Sequence, residues 1–196
     1  GPMGVQLDSM ADLVSSGVAP AVVGIAFMHA WAPELPTAIK FLPLTMALAA
    51  AWRLARFNVN TAVVDKRFFQ GLPSPAAAAL VMGFISIMID AEISPTSMAW
   101  PMFVVALFSG LTMVTNVPFY SFKDVGMKQS VPFVVIVLLA LGIAAVNIHP
   151  PMVLFGLFVS YGLSGYVLYG WRRFKGEPTS VISTSTEDPD ERGLHK

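Results

Sequence analysis

The sequence predicts an all-α membrane protein, a polytopic bundle of transmembrane helices with about six spans in this chain, and three observations predict it. Of 196 residues, 55% are apolar and 12% charged, with a mean hydropathy of +0.67. A soluble domain carries roughly 25% charged residues, so too little polar side chain is present to cover a water-exposed globule. The apolar residues also gather into runs close to the ~20 needed to cross a ~30 Å hydrocarbon core, bounded by Pro, Gly or charge. Finally, the cations are segregated: with a cytoplasmic N-terminus, every Lys and Arg except Lys40 falls at an inner end, as the positive-inside rule requires. Composition thus excludes a soluble enzyme, a nucleic-acid binder and a disordered chain. The formal net charge of zero provides no field for nucleic acid. The absence of cysteine removes disulfides, thiolate metal sites and a thiol nucleophile.

Each span follows from its run. The first rises from Asp8 to Trp31, with a kink expected at Pro20. The others are expected over Ala38–Phe57, Pro75–Ala91, Met98–Val117, Val131–Ile148 and Met152–Trp171. Trp31, Trp100 and Trp171 mark span ends, where an indole prefers the interface, and the outer turns carry Glu34, Asp90 and Glu92. Residues 1–175 form one membrane domain in this reading. Residues 176–196, rich in Ser, Thr, Pro and acid without an apolar period, read as a disordered cytoplasmic tail. Gly156, Ser160 and Ser164 fall four apart on one face of the last span, a spacing that permits close helix contact. Packing inside the monomer is the expectation for that face, and a homodimer interface is the sharper alternative.

The few charged side chains in or beside the spans are the candidates for chemistry. Asp8 and Asp12 lie one helical turn apart, so both carboxylates point the same way, with Gly4 leaving that face open a turn earlier. Two hard carboxylates can hold Mg2+ or Mn2+ against substrate phosphates. They can equally be acids placed at the positive end of a helix, and spacing alone does not choose. Arg53, Arg56 and Asn58 close the second span as RLARFN at the same inner level. Arginine forks there suit a phosphate or carboxylate, or serve as snorkelling anchors. FFQGLPSPAAAA reads as a rigid turn that starts a helix, and Lys123 and Asp124 as a solvated inner loop. His29, His149 and His195 lie away from the acids and receive no role.

Gly4, Asp8 and Asp12 match the second half of the signature D-x2-D-G-x2-A-R-x8-G-x3-D-x3-D, so the chain resembles the CDP-alcohol phosphatidyltransferase family. The segments DSMADLVSSGVAPA, RLARFN, FQGLPSPAAA and NVPFYSFKD resemble its membrane-bound bacterial phosphatidylserine synthases. The resemblance runs from Gly4 to about Arg173. It implies transfer of a phosphatidyl group from CDP-diacylglycerol to L-serine, giving phosphatidylserine and CMP, dependent on Mg2+ or Mn2+. It further implies a multi-pass protein of the inner (cytoplasmic) membrane, with the active site and the tail on the cytoplasmic side. By the same resemblance Asp8 is a metal ligand, and Asp12 a metal neighbour or the base that takes the serine hydroxyl proton. Gly4, Arg53, Arg56 and Asn58 contact substrate, the arginines at a phosphate or the serine carboxylate.

The signature's first half belongs about eight residues before Gly4, where the chain has only Gly1, Pro2 and Met3. The expectation is therefore an N-terminally incomplete chain, inactive by itself. Three alternatives accompany this reading. One is a sister transferase using glycerol phosphate or inositol phosphate. A small transporter is another, although transporters favour ionisable groups at the bilayer midplane. The third is a non-catalytic membrane scaffold.

Overall fold

The structure, a computed structural model, describes residues 2–60, 68–93, 95–120 and 133–176. It is the expected helical membrane bundle with one small addition. In chain order it contains α1 (Pro2–Leu13), a π-helical turn (Val14–Val18), α2 (Ala19–Trp31), α3 (Thr37–Lys40) and α4 (Leu44–Asn60). There follow β1 (Phe68–Gln70), α5 (Ser74–Asp90), α6 (Pro95–Val114), β2 (Pro118–Tyr120), α7 (Phe133–Ile148) and α8 (Pro150–Lys175). Among the described residues three stretches are long and apolar enough to cross a bilayer: Met3–Trp31, Ser97–Val114 and Pro150–Lys175. Ser74–Asp90 is apolar but shorter. Large apolar side chains such as Leu48, Val104, Leu111 and Val167 are exposed on the outer surface, as lipid-facing residues are. The tail over 177–196 and the inner-loop residues Lys66, Arg67, Lys123, Asp124 and Lys128 lie outside the described residues.

Helix boundaries depart from expectation where proline intervenes. A π turn lies just before Pro20, where a kink is expected. There the Ala19 N–H bonds the Val14 carbonyl, five residues back, and the widened turn makes room for a proline that lacks a donor. The second span does not start at Ala38. Pro43 interrupts it, so α3 ends at Lys40 and α4 begins at Leu44, the two joined by tight three-residue turns such as Leu44 N–H to the Phe41 carbonyl at 2.9 Å. Similarly, α6 stops at Val114 rather than Val117, because the residue before Pro118 is pushed to extended backbone.

Helix α4 packs on α6 and on the π turn, while α5 packs on α6 and α8. Gly17 in the π turn faces α4 so closely that a Cβ there would sit 2.7 Å from the Ala50 Cβ. Small residues at such crossings let backbones approach, which is how helices gain contact in lipid. The core between these helices contains Met46, Leu80, Val81, Met102 and Met113. Gly156, Ser160 and Ser164 do not pack inside the monomer as expected: all three are exposed. The two hydroxyls turn back to carbonyls of their own helix, Ser160 to Gly156 at 2.8 Å and Ser164 to Tyr161 at 2.6 Å. The buried glycines of α8 are Gly162 and Gly165, set against the rings of Phe108 and Phe119.

The addition is a two-stranded antiparallel sheet in which Phe69 pairs with Phe119. Phe119 is fully buried, its ring 5.5 Å from that of Tyr161. Burying one such side chain contributes about 1.5–3 kcal/mol, enough to hold a pair of three-residue strands that would not persist alone. After β1 the chain turns at Gly71, whose φ of +77° and proximity to the carbonyls of Met113 and Thr115 exclude a side chain. The Gly71 and Leu72 N–H groups bond the Val117 and Thr112 carbonyls at 2.9 and 3.1 Å. Pro73 and Pro75 then start α5, in the first turn where proline costs nothing.

Candidate active site

At one end of the bundle α1, α4, β1 and the start of α5 enclose a cleft of about 310 Å3. It is lined by Asp8, Ser9, Asp12, Arg53, Leu54, Phe57, Phe69, Pro73 and Pro75. Three of the side chains that the sequence singled out meet here, Asp8 and Asp12 from α1 and Arg53 from α4. Asp8 is exposed at the mouth, and Asp12 is half-buried below it. Ser16, buried in the π turn, donates to Asp12 Oδ1 at 3.2 Å and so holds the carboxylate while leaving Oδ2 open. Asp12 lies close enough for its charge to act on the Arg53 guanidinium.

Arg53 is the least satisfied polar side chain in the cleft. Its Nη1 donates to Ser74 Oγ at 3.1 Å. Its Nε is buried and, among the described residues, has no hydrogen-bond partner. A buried donor without an acceptor costs about 1–3 kcal/mol, and an anion in the cleft would remove that cost. Gly4, Arg56 and Asn58 are not among the residues that line the cleft. Gly4 lies on the exposed start of α1 with open space around its Cα, and Asn58 is exposed near the end of α4.

Arg56 is turned the other way. Its Nη1 donates to the Val114 carbonyl and to Asn116 Oδ1, both at 2.8 Å. Its Nη2 donates to the carbonyls of Thr115 and Gln70 at 3.1 and 3.3 Å. The same Asn116 oxygen accepts from Gln70 Nε2 at 3.1 Å.

Sequence reasoning missed Ser16 and Ser74. Ser16 had a signal, since it stands one turn beyond Asp12. Ser74 had none beyond its place between two prolines, because its partner lies 21 residues away.

The donor set fits a hard divalent cation: two carboxylates one turn apart at an open cleft match an ion that keeps waters and takes substrate phosphate oxygens for its remaining positions. It is not a closed cage. Among the described residues no group of three or more His, Cys, Asp or Glu is poised to hold a metal ion.

Comparison with known proteins places the chain among characterised sequences. The family model described as CDP-alcohol phosphatidyltransferase matches residues 1–119. The chain is 31% identical to the CDP-diacylglycerol–serine O-phosphatidyltransferase of Helicobacter pylori, over 82% of this chain and 66% of that protein. It is 28% identical to the Mycobacterium leprae protein of the same name, over 81% of this chain and 53% of that one. It is 30% identical to the one from Methanocaldococcus jannaschii, over 84% of this chain and 70% of that protein. The chain thus spans about half to two thirds of the length of these relatives.

Proposed function

The chain belongs to the CDP-alcohol phosphatidyltransferase family, and from that premise we propose that it transfers a phosphatidyl group from CDP-diacylglycerol to L-serine, releasing CMP. The observation that carries this reading is the cleft itself, where two carboxylates of one helix face an arginine whose buried Nε has no partner. A diphosphate ester is anionic, and Arg53 is placed to accept one of its oxygens or the serine carboxylate. Asp8 and Asp12 would hold the divalent ion on which the family generally depends, and Mg2+ or Mn2+ suits their hard oxygens. When bound, that ion neutralises charge on the diphosphate.

The chain's own residues then act as follows. Ser16 keeps the Asp12 carboxylate oriented. Asp12 accepts the proton of the serine hydroxyl, whose oxygen forms a bond to the phosphorus bearing diacylglycerol. The bond from that phosphorus to the bridging oxygen breaks, and CMP leaves with the electron pair. A base within one helical turn of a metal ligand can reach a hydroxyl held at the same point. The apolar side chains of Leu54, Phe57 and Phe69 in the lining suit the part of the lipid nearest the reacting phosphate.

In this proposal the site faces the cytoplasm at the inner membrane, an orientation that puts every Lys and Arg of the sequence except Lys40 at an inner span end, as the positive-inside rule asks. The test is CMP release by membranes from cells expressing the gene in its full reading frame, supplied with CDP-diacylglycerol. Release that rises with L-serine, and not with glycerol phosphate or inositol phosphate, is the expected result. Release that ignores serine overturns the proposal.

A further inference from the structure

We infer that Arg56 is a positioning residue that sets the width of the cleft, not a ligand for substrate. The inference rests on the cleft being the reaction site. Helix α6 ends at Val114 without a basic residue in its last turn, so its final carbonyls lack an internal partner and carry the negative end of the helix dipole. Arg56 arrives from α4 and supplies both a donor and a positive charge to the carbonyls of Val114 and Thr115. The same guanidinium reaches Gln70 of β1 and Asn116 just before β2. One side chain thereby ties α4, α6, β1 and the segment leading into β2 together.

The consequence for the cleft follows from which residues those elements carry. Arg53, Leu54 and Phe57 line one wall from α4. Phe69, Pro73 and Pro75 line a second wall from β1 and the start of α5. Arg56 lies behind the cleft, bonded to Gln70 between Phe69 and Gly71, so it holds the second wall at a set distance from the first. Lysine cannot replace it: four acceptors are shared by two nitrogens of a planar fork, whereas an ammonium offers three donors from one point. Since both terminal nitrogens are engaged by protein oxygens, a substrate anion would have to break these bonds to reach them.

The 196 residues contain no cysteine, so a spin-label pair at Phe57→Cys and Pro75→Cys reports the span of the cleft directly. Arg56→Lys is expected to broaden and shift the distance distribution. It should also lower kcat/KM by about 10-fold to 100-fold, with kcat falling even when both substrates saturate, as misplacement of reacting groups does. Asn116→Ala removes an acceptor behind the cleft and should move both readings in the same direction by less. If Arg56→Lys does not fold, Asn116→Ala carries the test alone. Unchanged distances in both variants, or a loss confined to the KM of one substrate with Asn116→Ala silent, overturn the inference. The distances are read without turnover, so they stand or fall separately from serine-dependent CMP release in the unaltered protein.

Discussion

Lys40 and Arg53 are both withdrawn from solvent, at opposite ends of the region around α4, and their surroundings differ. Lys40, only 8% exposed, sits where α3 meets the turn into α4, and its Nζ donates to the Pro33 carbonyl at 2.9 Å. That bond closes the loop between α2 and α3 and leaves the ammonium no further visible task. Arg53 also bonds one neutral oxygen, on Ser74, but retains a buried donor without a partner and faces Asp12 across an open cleft. A buried cation that only closes a loop has its charged nitrogen bonded to a backbone carbonyl. One at a binding site keeps a donor back, and the unsatisfied donor is the more informative sign than burial itself.

Five changes would break or sharpen that contrast, taken from the largest expected effect to the smallest. Asp12→Asn removes the proposed base at the Arg53 end, and kcat for CMP release should fall about 100-fold to 10,000-fold. Chelation with EDTA should abolish release as well, with recovery on adding Mg2+ or Mn2+; full activity after chelation would remove the metal from the scheme. Gly71→Ala forces a side chain into positive φ against two carbonyls, and thermal unfolding in detergent should show a loss of about 2 kcal/mol or more. Ser16→Ala frees the Asp12 carboxylate, for which about 1 kcal/mol, near fivefold in kcat/KM, is the expected cost. At the opposite end, Lys40→Met should leave CMP release unchanged and shift stability by no more than about 1 kcal/mol, since an apolar side chain of similar length replaces a buried cation at little cost. A Lys40→Met variant as damaged as Asp12→Asn would erase the difference between the two ends.

Much of the bundle was legible along the chain because hydropathy is a local property. Asp8 and Asp12 were legible as a pair for the same reason, their spacing placing them on one face whatever surrounds the helix. The strands were not. Phe68–Gln70 and Pro118–Tyr120 are each three residues long, too short to show a period of two, and each is stabilised by the other rather than by its own composition. The arginines of RLARFN looked equivalent in sequence, yet one turn of helix sends Arg53 into the cleft and Arg56 behind it. The partners that decide the matter for Arg56 are up to 60 residues away.

By itself the sequence determined that this chain is a helical membrane protein, where most of its helices run, and that two acids share one helix face. These follow from the solvent each segment requires and from helical periodicity. Only the tertiary structure decided which arginine faces the acids, which serine steadies Asp12, and that Phe69 of a short strand joins the lining of the cleft. Those outcomes depend on hydrogen bonds and contacts between segments distant in the chain, whose geometry exists only once the helices have packed.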